Sequence, residues 1–127
     1  MNQRLSAFSL VEVLAAIAII GIVTFLAVPN IIRLKQDGEE NLARARAEAL
    51  NMAMASYVQA VGPSAAQTTW SGADNDGRYD LIASYLAFAE PTIDNFMPGG
   101  YSATLPASVY PLTTKTTVTG PSGEVAY

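Results

Sequence analysis

Apolar side chains are unevenly distributed along this chain. From Phe8 to Ile32 the sequence FSLVEVLAAIAIIGIVTFLAVPNII holds a single charged residue, Glu12, in 25 positions. Wound as a helix it would be about 37 Å long at ~1.5 Å per residue, more than the ~30 Å of a bilayer's hydrocarbon layer. The pattern predicts a membrane-spanning helix. Beyond Pro29 the pattern changes without losing its period. Ile31, Leu34, Gly38, Leu42, Ala45, Ala49, Met52, Ser56 and Ala60 recur at steps of three and four, a narrow face of small and apolar residues, while most charges lie elsewhere around the helix. Leu50, Met54, Tyr57 and Val61 widen the apolar face where a head should begin to cover it. Asp37-Gly38 is a weak point that the period runs through, and Gly62-Pro63 is a stop, so one helix is expected from Phe8 to Val61.

The rest of the chain is broken into short pieces. Pro63–Gly77 has loop chemistry with Trp70 as its large anchor. Arg78–Glu90 reads as a short amphipathic helix ended by Pro91, with Leu81, Ile82, Tyr85, Leu86 and Ala89 on its apolar side. PTIDNFMPGG reads as a loop. Thr113–Thr119 and Glu124–Tyr127 form a hairpin across G-P-S-G, and Tyr101–Leu105 or Ser108–Tyr110 adds a third strand. The expected fold is α+β: a long N-terminal helix, transmembrane and then amphipathic, with a small head of one short helix and a small antiparallel sheet. Four segments follow: a leader at 1–7, a transmembrane helix at 8–33, its amphipathic continuation at 34–61 and a head at 62–127.

Composition narrows the function. The chain has 127 residues and a formal charge of −4, which argues against a nucleic-acid partner. It has no cysteine and no histidine, which removes disulfides, thiolate chemistry and the commonest general base. No catalytic set or phosphate loop stands out, so an enzyme is not expected. A head this small has a limited core and should lean on the long helix or on neighbours. Asp74, Asp76 and Asp80 cluster in D-N-D-G-R-Y-D, oxygen ligands of the kind a hard cation such as Ca²⁺ takes. Their spacing does not follow the twelve-residue calcium loop, and turn or cap acids are the competing reading, so no cofactor is the first expectation.

The N-terminal signals come in an unusual order. A secretory signal runs basic start, apolar core, small-residue cleavage site. Here Arg4 and the small pair Ser6-Ala7 precede the apolar core. A cut after Ala7 leaves the apolar helix on the mature chain and creates a free amine at Phe8. Glu12, four residues on, would be costly in a membrane unless it lay near an interface, was protonated or was paired with a cation. That amine supplies the cation, within one chain or between staggered chains, where the pair would fix the axial register of a polymer.

On these residues the N-terminus resembles that of type IV pilins and of the pseudopilins of type II secretion. The resemblance covers roughly residues 4–60 and rests on the short basic leader, Phe8, Glu12 and the apolar helix, with Gly21 and Pro29 where many bacterial pilins weaken the helix. Ala7 stands where Gly is usual. The resemblance implies cleavage between Ala7 and Phe8 by a prepilin peptidase, N-methylation of Phe8, and assembly through Glu12, Gly21 and Pro29. It implies a homo- or hetero-polymer of pilin-like subunits, an inner-membrane platform and ATPase as partners, and a single-pass inner-membrane location with the head on the outer side before assembly into a filament. It also implies that the segment between Gly21 and Pro29 can lose its helix on polymerisation. Arg33 and Lys35 follow the span and only Arg4 precedes it, so the positive-inside count opposes that orientation. The small, cysteine-free head favours a type II secretion pseudopilin. A type IV pilus subunit and a non-polymerising anchored binding module are the alternatives.

Overall fold

The structure is a computed structural model that describes residues 9–127. The leader, the cut at Ala7–Phe8 and the methylation at Phe8 lie outside the described residues. The first element, α1, runs from Leu10 to Val61, 52 residues, as the apolar period predicts. It continues through Gly21, Pro29 and Gly38. Ser9 starts it: the Glu12 backbone N–H donates to Ser9 Oγ at 3.2 Å, filling one of the donors that a helix start leaves open. The chain divides into two compact units, one ending at Asp37 and the other spanning Gly38–Tyr127.

In the first unit the described side chains of α1 are almost all exposed. Its most apolar 18-residue window has a mean hydropathy of 2.7, and none of it is buried within the protein. Length and composition are those of a membrane-crossing segment. Thr24 sits mid-helix with its hydroxyl donating to Ile20 O at 2.7 Å, which hides a polar group that lipid could not satisfy.

In the second unit the head packs on one face of α1. The buried residues there are Ala43, Ala47, Leu50, Ala53, Met54, Tyr57 and Val58. This corrects the expected face. Leu42 and Met52 are 44% and 71% exposed, and Ala45, Ser56 and Ala60 are exposed beside them. Both sets step by three and four, so the period alone does not choose between them. Ala43 and Ala47 let the head approach closely, and Leu50, Met54 and Tyr57 fill the space beyond. Val61 stays 44% exposed, but the other three residues predicted to widen the face are buried.

Gly62 (φ 98°) ends α1 in a conformation that costs glycine little. Helix α2 (Pro63–Ser71) follows directly, where a loop was expected. Proline suits the first helical position because its missing N–H is not needed there. Its buried residues are Ala66 and Trp70. Trp70 is the anchor that the sequence suggested: it is wholly buried, packs 6.2 Å from Tyr57 and donates its indole N–H to Pro106 O at 2.8 Å.

The expected helix at 78–90 lies further back. Helix α3 covers Asn75–Ile82 and tightens into a 3₁₀ turn, Ala83–Tyr85. Asp74 sets its start by accepting the Gly77 N–H at 2.8 Å. Tyr79 and Ile82 are buried, whereas Tyr85 and Ala89 are exposed. The loop expected at 91–100 contains a single-turn helix, α4 (Ile93–Phe96), capped by Thr92, which accepts the Asn95 N–H at 3.2 Å. Local capping by short polar side chains explains both changes.

The sheet is antiparallel in the order β1 (Ser102–Thr104), β2 (Thr117–Gly120), β3 (Gly123–Val125). Val118 pairs with Ala103 on one side and Val125 on the other, and all three are buried. The hairpin turns at Pro121-Ser122, with Gly123 at φ 112°. It is shorter than expected because its open end bonds to α1. The Thr116 N–H donates to Asn51 Oδ1 at 2.9 Å instead of to a strand.

Candidate functional site

The sequence points to the N-terminal helix as the working part of the molecule. Glu12 occupies the first turn of α1 and is exposed. Three residues before it stands Ser9, so Ser9-Leu10-Val11-Glu12 has the S-x-x-E spacing of a capping box. The carboxylate is therefore placed where unsatisfied N–H groups and the helix dipole favour negative charge. This partner was legible in the sequence and is the functional neighbour that the reading of Glu12 lacked. Gly21 and Pro29 both lie within α1, eight residues apart, and an added Cβ at Gly21 would meet nothing within 4 Å. The helix persists between them in this isolated chain.

Polar clamps that hydrophobic periodicity does not reveal hold the head to the second part of α1, through Asn51 and Arg44, and hold the head together, through Gln67 and Asn75. Asn51 accepts from the Thr116 N–H and donates to the Tyr127 hydroxyl at 3.1 Å, while that hydroxyl donates to Thr116 O. Arg44 donates to Ala126 O at 3.0 Å, to Asn41 at 3.0 Å and to Glu40 at 2.8 Å. Gln67 Oε1 accepts from the Val109 and Tyr110 N–H groups and from Ser108 Oγ. Asn75 bridges Ala103 O and the Leu105 N–H. Burial raises the Tyr79 and Tyr127 phenols above their ordinary value of 10.0.

Asp74, Asp76 and Asp80 are exposed around the start and first turns of α3. Asp74 spends one oxygen on the Gly77 N–H. Among the described residues no group of three or more His, Cys, Asp or Glu side chains is placed to hold a metal ion.

The described residues thus hold an exposed apolar helix, of the length and composition of a membrane-crossing segment, with one carboxylate in its first turn. Residues 3–28 match the family described as the prokaryotic N-terminal methylation motif. Over these residues the chain is similar to the prepilin-type N-terminus, and the match takes in Ala7, Phe8, Glu12 and Gly21. No curated protein and no solved structure matches the chain.

Proposed function

We propose that the chain is a structural subunit of a pilin-like filament, and within that class a pseudopilin of a type II secretion system. The observation that carries the reading is the methylation motif at 3–28, with Glu12 in the first turn of an uncovered apolar helix. Prepilin peptidase cuts before Phe8, and the Phe8 amine is methylated. The helix holds the subunit in the inner membrane until a platform and ATPase draw it into the growing fibre. There, apolar side chains bury one another and Glu12 meets the Phe8 amine of a neighbour. Lone charges in that dry setting are costly, so the pair selects one axial register. The small cysteine-free head favours the pseudopilin over a pilus subunit. The head has a structural task and no catalytic or calcium-dependent one.

Glu12→Leu tests the reading. The variant is expected to insert in the membrane and to yield no fibres when examined by electron microscopy and by shearing from cells. Fibres at the wild-type level would remove Glu12 from the assembly step, and a wild-type chain that inserts but forms no fibres would sink the polymer reading in favour of an anchored binding module.

A further inference from the structure

The irregular stretch between the 3₁₀ turn and α4, residues 86–92, lies on the head as a strap. Leu86 packs on the core, and every residue from 87 to 92 is exposed. The Tyr79 hydroxyl holds the Glu90 backbone from both sides, donating to its O at 2.8 Å and accepting its N–H at 3.0 Å. The Phe88 ring centre, on a side chain 51% exposed, lies 4.3 Å from the Arg46 guanidinium, and that of Phe96 lies 5.0 Å from the same group. Arg46 Nη1 is buried and has no acceptor, a costly state for a charged donor.

The geometry points to a strap that closes through its own acid: the Glu90 carboxylate takes the Arg46 guanidinium and locks residues 86–92 onto α1. No acid of α1 stands beside Arg46, since Leu42, Ala43, Ala49 and Leu50 fill the positions three and four residues away. Tyr79 is what brings the two charges together. Its ring is 5.8 Å from Phe96, which lies against Arg46, and its hydroxyl carries the Glu90 backbone. Burial raises the Tyr79 phenol most and its bond to the Glu90 backbone lowers it, while the Glu90 and Asp80 carboxylates and the Arg46 guanidinium all act on it through space. Glu90 is preferred to Asp80 because its own backbone is fixed at that hydroxyl and its side chain is the longer. Glu40–Arg44 is the one ion pair among the described residues, so the catch stands open. A guanidinium takes rings on its faces and carboxylates at its edge, so closure does not require Phe88 to leave. Closed, the strap keeps Phe88 against the head. Open, it leaves Phe88 as a loose apolar side chain near the exposed Tyr85 and Ala89.

Amide hydrogen exchange across residues 86–92 of the full-length chain in detergent tests the catch. Glu90→Gln keeps the backbone bonds to Tyr79 and should speed that exchange about fivefold, the effect of losing one such pair. In an Arg46→Gln background the same substitution should change nothing, because the pair is already gone. Asp80→Asn and Asp94→Asn, at the neighbouring acids of α3 and α4, should leave the rates at the wild-type value. Circular dichroism checks each fold, and Arg46→Met, which keeps an apolar stem beside Phe88 and Phe96, serves as the background if Arg46→Gln does not fold. Rates unmoved by Glu90→Gln, moved equally with and without Arg46, or moved instead by Asp80→Asn or Asp94→Asn would overturn the strap.

Discussion

Glu12 takes its meaning from its neighbours. Ser9 closes the helix start beneath it, and the proposed cut at Ala7–Phe8 would add an amine four residues away. Its place as the lone acid of the run was plain from the sequence, and the S-x-x-E spacing was there to be read as well. The residues that fix the head were harder to find. Asn51, Gln67 and Asn75 each bond to backbone far along the chain, and no short-range pattern marks a side chain whose partner is 28 to 65 residues away. Trp70 was legible because a lone large aromatic in a polar stretch must find cover. At this scale the tyrosines give a pH prediction. Burial raises both the Tyr79 and Tyr127 phenols, so the folded state holds their protons more tightly than the unfolded chain does. Their contribution is fully present below the unfolded value near 10 and is lost as pH rises through the raised folded values. Thermal melts should therefore be flat toward pH 10 and fall above it, and Tyr79→Phe with Tyr127→Phe should remove most of that alkaline fall.

Helix α1 was predictable in extent because apolar spacing, Gly62 and Pro63 all agree on it. Which of its faces the head covers was not, since two stripes share the period. The choice falls to the side where Ala43 and Ala47 admit the head and Tyr57 meets Trp70. Helices α2, α3 and α4 were missed or misplaced for a different reason. Each is at most nine residues long and begins at a local signal, Pro63, Asp74 or Thr92, in a stretch whose overall composition is that of a loop. Gly38 gives the prediction at this scale. It lies within α1, with nothing within 4 Å of where a Cβ would go. Gly38→Ala should stabilise the helix locally by about 0.5–1 kcal/mol, seen as slower amide exchange across residues 35–41. Faster exchange there would mean that Gly38 serves a contact in the folded chain.

The whole molecule joins a long apolar helix to a small head of short helices and a three-stranded sheet. In the acidic D-N-D-G stretch, Asp74 serves as a helix cap. EDTA is accordingly expected to leave the melting temperature of the detergent-solubilised chain unchanged, and a fall reversed by added Ca²⁺ would restore a metal role to Asp74, Asp76 and Asp80. The filament account depends most on one covalent event, since without the cut Glu12 has no amine to meet and the leader stays on the helix. The most direct measurement is the intact mass and N-terminal fragmentation of the chain purified from bacterial membranes in the presence of prepilin peptidase. The account predicts a chain beginning at N-methylated Phe8, and a chain that still begins at Met1 would contradict it.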